Sequence, residues 1–307
     1  MKKIEVLGLQ TIPEIKEGDN LAEIIVNRAE SEQLDIEEKD IIVLTSKIVS
    51  KAMGLTAKLA DVKPAKRALK VSQKTGKDPK WLQMIWDLGQ EIVAVIPLKG
   101  MIRDAIMHSS QNLGRSEKLC EHEQAICITL SKDGRLHTCD AGIDGSNHPA
   151  GIVSFLPPDP DEVAEAIREE IKTRTSKNVA VILADTEILP FGTVDLAVGS
   201  SGIEPRSKMF GDLDKFGKPK FGGIDLTAYE LAAAAALLFG QTNAGIPAVI
   251  IRGYDFEINE VENISNTIIP NVSGADSRKV LKEIIRATAC VRPFKQRLLL
   301  KIALWFV

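Results

Sequence analysis

The sequence predicts an α+β fold in which mixed β-sheets are flanked by helices. Three observations carry this. The runs Ile41–Leu44, Val179–Ala184 and Ile246–Ile251 are short, continuous and apolar, the pattern of strands covered on both faces. Residues 21–29, 161–173 and 225–239 have helical patterning with matching start and stop signals. The strand-like run Ala125–Leu130 is followed by a turn at Asp133-Gly134 and a glycine-bearing loop, so not every strand alternates with a helix.

In chain order, Ile4–Thr11 is a strand and residues 12–19 a loop. The helix from Leu21 to about Ala29 places apolar residues at 21, 24, 25 and 29, with Asp19 or Asn20 as its cap. The strand at 41–44 ends in Thr45-Ser46-Lys47, with Ser50 and Lys51 just beyond. Hydroxyls and two lysines at a strand end suit phosphate, and equally suit a solvated loop. Pro64–Lys74 and Pro79–Leu88 are helices, and Ile92–Ile96 is a strand. Residues 99–124 lack a clear pattern and are expected to be an excursion or loop. Pro157-Pro-Asp-Pro160 is a rigid turn that opens the helix from Asp161 to about Thr173. The strand at 179–184 is expected to end at Asp185-Thr186. Strand character resumes at Leu196–Gly199, residues 204–224 form a loop, and the helix at 225–239 stops at Gly240. A last helix is expected from Asp276 to about Thr288.

The chain has 307 residues, 44% hydrophobic and 26% charged, as expected of a soluble globular protein. Its 39 Lys and Arg against 42 Asp and Glu give a net charge of −3, which argues against a dedicated nucleic-acid binder. No run reaches the ~18 apolar residues of a spanning helix, and the N-terminus lacks a signal-peptide core, so a cytoplasmic location is expected. The four cysteines form no C-x-x-C pair.

Three pieces carry chemistry. Asp144 lies between Gly142 and Gly145 in Asp140-Ala-Gly-Ile-Asp-Gly-Ser-Asn147. Such a loop suits a cation ligand, and it is also the composition of an ordinary polar turn. Asp185-Thr186 closes a buried strand. Gly240–Gly245 joins a helix to a strand and can offer N–H groups to phosphate. A P-loop and a G-x-G-x-x-G turn are both absent.

Together with Ile12-Pro-Glu-Ile-Lys-Glu-Gly-Asp19, Ser50-Lys-Ala-Met-Gly54 and Gly245-Ile-Pro-Ala-Val-Ile-Ile-Arg-Gly253, these stretches make the chain resemble the coenzyme F420-0:L-glutamate ligase (γ-glutamyl ligase) family. The resemblance spans most of residues 4–253. Two interleaved lobes are expected, 1–91 with 157–253 for the nucleotide and 92–156 bearing the Asp144 loop, and, outside the resemblance, a C-terminal helical extension over 254–307. It also implies a homodimer.

The reaction implied is GTP-dependent. A substrate carboxylate is phosphorylated, and the amine of L-glutamate displaces the phosphate to form an amide. Carried over, Asp144, Asp185, Thr186 and Gln241 would hold Mg²⁺ or Mn²⁺. Ile12, Pro13, Glu14, Ile15, Ser46, Lys47, Lys51, Asn147, Gly240, Thr242, Asn243 and Gly245 would bind GTP. No catalytic group is assigned.

Departures from the family pattern set further expectations. Arginines typical after the Asp-Thr pair are replaced by Glu187-Ile-Leu-Pro-Phe-Gly-Thr193. An acidic position becomes Gln241, Met53 stands where glutamate is usual, and Tyr229 replaces an aspartate. A weakly held second ion and a carboxylate acceptor other than F420-0 are therefore expected, the wall offered by residues 187–191 being apolar and slightly acidic. The other reading is a non-catalytic nucleotide-binding paralogue with a regulatory or scaffolding role. The C-terminus interleaves Arg292, Lys295, Arg297 and Lys301 with apolar residues, which suits packing against the body or partner, or weak contact with an anionic membrane surface.

Overall fold

The computed structural model describes residues 3–97, 125–132, 134–189, 192–207, 209, 211–219, 224–240 and 242–268. All lie in one compact unit, Met1–Ile269. The expected excursion at 99–124, the helix from Asp276 and the basic C-terminus fall outside the described residues, as does Gln241.

The main sheet has five strands: β1 (Glu5–Gly8), β2 (Ile41–Thr45), β8 (Ala180–Leu189), β9 (Gly192–Ser201) and β10 (Ala248–Arg252). Their order is β1-β10-β2-β8-β9. Only β2 and β8 pair in parallel, and the other neighbours are antiparallel, so the sheet is mixed as the sequence predicts.

Both faces are covered, which explains the continuous apolar runs. Ile42, Leu44, Val181 and Leu183 point into one core, against helices α1 (Leu21–Ser31) and α5 (Pro160–Thr175). Ile41, Val43, Ala180 and Ile182 point into the other, against α6 (Thr227–Phe239). Small residues on α6 (Ala228, Ala232, Ala235) allow close approach to the sheet. Local chemistry starts the helices where expected. Asn20 accepts from Glu23 N at the start of α1, and Asp159 from Glu162 N, with Pro160 in the first turn of α5.

A third core lies apart from this sheet. Helices α3 (Lys66–Thr75) and α4 (Pro79–Asp87) pack on the antiparallel sheet β4 (Glu91–Pro97), β5 (Ala125–Leu130) and β6 (Leu136–His137). Strands β3 (Thr56–Lys58) and β7 (Ile152–Ser154) form a small ladder beside it. A short helix α7 (Ile264–Thr267) ends the described chain. No helix among the described residues is long and apolar enough to cross a membrane.

Two local expectations are corrected. The strand at 179–184 does not end at Asp185: β8 runs on to Leu189 and pairs antiparallel with β9 from Gly192, so residues 187–189 and 192–193 are strand. Thr186 and Ile188 are β-branched, and each continues the cross-strand pairing. The pairing slips once, between Leu183 and Ala184, a bulge of the sort that re-aims neighbouring side chains. Second, residues 46–52 are not a loop but a helix, α2 (Ser46–Ala52), which begins directly at the end of β2.

The Asp144 loop is held from behind by a buried ion pair. Lys77 Nζ donates to Asp140 Oδ2 at 2.5 Å, with both side chains almost fully buried, and Asp140 Oδ1 accepts from Cys127 N at 2.8 Å. Asp140 and Ala141 both adopt positive φ (50° and 61°), which costs energy in non-glycine residues and persists where surroundings over-determine it. Removing one partner strands a buried charge. Asp140→Ala should therefore destabilise the chain by about 3–5 kcal/mol, whereas Asp140→Leu combined with Lys77→Met should cost much less. Denaturant melts of the two variants check this ordering.

Candidate functional site

The parallel register Thr45↔Ala184 places the C-terminal end of β2 beside the bulged part of β8. The residues just past each partner, Ser46 and Asp185, then meet: Ser46 Oγ donates to Asp185 Oδ1 at 2.6 Å. In front of them opens a cleft of about 380 Å³.

Strands β8 and β9 line it with Asp185, Thr186 and Asp195, and four further segments complete it. The loop after β1 brings Ile12, Pro13, Glu14 and Ile15. The start of α2 brings Ser46, Lys47 and Lys51. The loop before β7 brings Asp144, Ser146 and Asn147. Thr242, Asn243 and Gly245 close the remaining side. Thus every nucleotide-site residue expected from the sequence lines this cleft except Gly240, which instead ends α6 with φ of 73°. Of the expected metal ligands, Asp144, Asp185 and Thr186 are present at the cleft.

Lys47 and Lys51 are four residues apart, so one helical turn stacks them on one face of α2. Lys47 Nζ forms a very short ion pair with Asp144 Oδ2, a close contact with Ser146 Oγ, and a 2.9 Å bond to Ser146 O. Lys51 Nζ reaches Glu14 Oε1 at 2.5 Å and Asn147 O at 2.9 Å. The loop itself is fixed by two backbone bonds between Asp144 and Ser154, and Asn147 Nδ2 donates to Thr242 O at 2.9 Å. Gly142 lets the loop approach β8. A Cβ there would sit 2.5 Å from Leu156 and 3.4 Å from Asp185 Oδ2, and its φ is 70°.

The two aspartates sit in opposite electrostatic states. Burial alone would push the Asp144 carboxyl up, but the Lys47 ammonium and the Ser146 N–H and hydroxyl outweigh it and hold it below its usual range. Asp185 opens partly onto the cleft, yet its carboxyl is ringed by protein atoms. That desolvation pushes it up to about 7, opposed by the Ser46 hydroxyl and His137 and reinforced by the negative Glu187 and Asp144. Burial, with Lys51 and Lys47 nearby, lowers His148.

This donor set suits a hard divalent cation. The Asp144 and Asp185 carboxylates and the Ser46 and Thr186 hydroxyls, all oxygen, face one cleft, and among the described residues no lysine or arginine is paired with Asp185. Among the described residues no three His, Cys, Asp or Glu side chains gather as a complete cage.

One expectation about the hairpin is corrected. Glu187 is not an exposed charge. It is buried, accepts Thr138 N at 2.6 Å and Thr138 Oγ1 at 2.5 Å, and lies 3.3 Å from His137 Nδ1. By period-two alternation it shares the face of Asp185, and His137 of β6 and Thr138 just after it lie against it. Leu189 is exposed at the end of β8. Sequence reasoning missed Asp195, which is 4% exposed, lines the cleft and accepts the Thr186 hydroxyl at 2.7 Å. Its signal was a lone acid inside the apolar run Val194-Asp-Leu-Ala-Val198.

The Asp185 shift predicts a pH dependence. Its folded value lies above the unfolded one, so between about pH 4 and 7 the unfolded chain ionises this group first and stability falls as pH rises. Without divalent cations, Asp185→Asn should be more stable than the parent at pH 8, by roughly 2 kcal/mol once solvent in the open cleft is allowed for. The two should converge near pH 4. Urea melts at both pH values in a chelator check it.

A family model described as F420-0:Gamma-glutamyl ligase matches residues 10–253. Proteins named coenzyme F420:L-glutamate ligase are similar over most of the chain. The one from Methanocaldococcus jannaschii is 37% identical across 82% of this chain and 88% of its own length. That from Methanothermobacter thermautotrophicus is 34% identical across 82% and 89%, and that from Methanosarcina mazei 31% across 94% and 98%. The cleft residues from Ile12 to Pro247 all fall inside the matched span, and the chain belongs to the F420-0:γ-glutamyl ligase family of enzymes.

Proposed function

We propose that this chain is a γ-glutamyl ligase that uses GTP and a divalent cation to couple L-glutamate to the carboxylate of an F420-type acceptor. The observation that carries this reading is the meeting of Asp144, Asp185, Ser46, Lys47 and Lys51 at one cleft, in a chain whose relatives carry that activity in their names.

The chemistry requires two steps. An acceptor carboxylate oxygen attacks the γ-phosphorus of GTP, and GDP leaves. The α-amine of L-glutamate, having lost a proton, attacks the acyl carbon, and phosphate leaves. The bound cation would neutralise charge that develops on the phosphates. Everything else falls to the protein. Asp144 and Asp185 would hold the ion, with Thr186 beside it. Ser46, Lys47 and Lys51 would bind and orient phosphate oxygens, Lys47 and Lys51 by exchanging their present acidic partners for the nucleotide. Ile12–Ile15 and the 242–245 loop would cover the nucleotide and exclude water.

A second reading concerns the acceptor. The hairpin carries Ile188 and exposed Leu189 where the family commonly has arginines, so a carboxylate less anionic than F420-0 would fit that edge better. The assay combines the chain with F420-0, L-glutamate, GTP and Mg²⁺ or Mn²⁺. GDP release that depends on acceptor, with gain of a glutamyl unit, supports the first reading. GDP release only with other carboxylates supports the second, and no acceptor-dependent release removes both. We also expect a homodimer, which sedimentation would detect.

Lys47 gives an outcome of opposite sign for the two ligands. Its ammonium now occupies the Asp144 carboxylate. Lys47→Met should weaken GTP binding about tenfold or more through the lost charge-assisted bond. The same variant should tighten nucleotide-free Mn²⁺ binding, because the competing cation is gone. Calorimetry of each ligand separately tests both directions.

A further inference from the structure

A second, smaller cavity lies beyond the cleft, and the scheme above leaves it without a role. The strand order β1-β10-β2-β8-β9 lays the site out from one flank to the other. The residues assigned to the nucleotide stand at the ends of β1, β10 and β2, and Asp185 on β8 marks the cation position. Past it, at the edge strand β9, is a cavity of about 40 Å³ whose lining includes Arg135, His137, Glu187, Leu196, Val198 and Tyr229. Leu196 is the direct cross-strand partner of Asp185, and Glu187 lies two residues on along β8, so both share the face of Asp185. The cavity therefore adjoins the cation position on the flank away from the nucleotide.

Its polar groups are fixed in place. The register slip leaves Val198 without a partner on β8, and Val198 O accepts from Arg135 Nη1 at 2.5 Å. Arg135 Nη2 donates to Ser265 Oγ at 3.2 Å. A guanidinium has five N–H donors, so these bonds hold it and leave donors over. Among the described residues no acid is paired with Arg135. Glu187 is held by Thr138 and lies against His137. Tyr229 on α6 has no hydrogen-bond partner among the described residues. Burial pushes its phenol up, so the hydroxyl stays a donor at neutral pH.

The cavity thus presents one cation and one anion. A phosphate would meet Glu187, and a simple amine would meet Arg135. An α-amino acid carries a carboxylate and an ammonium on one carbon and answers both. The volume, room for roughly two or three waters, admits a carboxylate and excludes a nucleotide. We propose that this cavity is the subsite for the incoming amino acid, where Arg135 and the Tyr229 hydroxyl bind the α-carboxylate of L-glutamate and Glu187 holds the amine on the side of Asp185. The proposal rests on the ligase reading above, which needs an amine beside the phosphorylated carboxylate, and adds where that amine is held. Nucleotide, cation and amino acid then follow one another across the sheet end.

The test is equilibrium dialysis of L-glutamate against the full chain with Mn²⁺ and a non-hydrolysable GTP analogue, so that nothing turns over. Arg135→Gln should weaken L-glutamate about tenfold or more through lost charge-assisted bonds, with affinity for the GTP analogue unchanged. Tyr229→Phe leaves the Arg135 bonds to Val198 and Ser265 in place and should weaken L-glutamate about threefold or more. It decides the matter should the Arg135 variant fail to fold. L-Glutamine, which lacks only the side-chain carboxylate, should keep its sensitivity to Arg135. The α-amide of L-glutamate should bind the parent weakly and lose nothing further on Arg135→Gln. L-Glutamate affinity unchanged in both variants, or an α-amide as sensitive to Arg135 as L-glutamate itself, overturns the subsite. A parent that binds the GTP analogue and Mn²⁺ but no L-glutamate also overturns it, and leaves the nucleotide reading standing. A parent that binds no GTP analogue overturns the ligase reading and this proposal with it.

Discussion

The parallel pairing of β2 with β8 is the constraint on which the rest of the molecule depends. Ser46 and Asp185 are 139 residues apart, and only the register Thr45↔Ala184 brings hydroxyl and carboxylate to 2.6 Å. A slip of one residue would turn Asp185 to the α6 side and bury it among Ala232 and Ala235. The register is fixed by apolar side chains on both faces, since every β2 residue from Ile41 to Leu44 is fully buried. Core packing thus decides where the chemistry stands. The bulge at Leu183–Ala184 then adjusts the aim of the residues that follow.

Around that point the charges are arranged in layers. Lys77 and Asp140 form a buried pair behind the loop and need no ligand. At the cleft itself, Asp144 is neutralised by Lys47, and Glu14 by Lys51. Asp185 has a hydroxyl and, among the described residues, no lysine or arginine paired with it, and is the group that departs furthest from its ordinary ionisation at the cleft. The cleft thus pairs its lysines with its own acids. A nucleotide with its divalent ion offers the reciprocal charges, phosphate for the lysines and cation for the aspartates. This exchange is how two carboxylates can stand in a site for a polyanion.

Much of this was legible in the sequence because buried strands and capped helices leave strong marks. The runs 41–44, 179–184 and 246–251 reveal the central strands, and Asp159-Pro160 and Gly240 mark helix ends. The glycine-bracketed Asp144 and the Asp185-Thr186 pair reveal the carboxylates. What stayed hidden depended on tertiary context. Helix α2 is short and begins on the last residue of a strand pairing, so no periodicity could separate it from a loop. The hairpin after Asp185 holds mixed polar and apolar residues whose pairing is set by register. Glu187 reads as a surface charge, and only its proximity to Thr138 and His137, some fifty positions away, makes it internal. Asp195 shows as an acid in an apolar strand, a pattern that signals an unusual site without naming its partner.

The central claim is that Asp144 and Asp185 share a divalent cation that bridges them to nucleotide phosphates. A crystal structure of the chain with a non-hydrolysable GTP analogue and Mn²⁺, read by the anomalous signal of manganese, tests it most directly. The account predicts a manganese peak in contact with both carboxylates, with phosphate oxygens at Lys47 and Lys51. Nucleotide bound in the cleft with no manganese at these aspartates, and Lys47 still paired with Asp144, would contradict it.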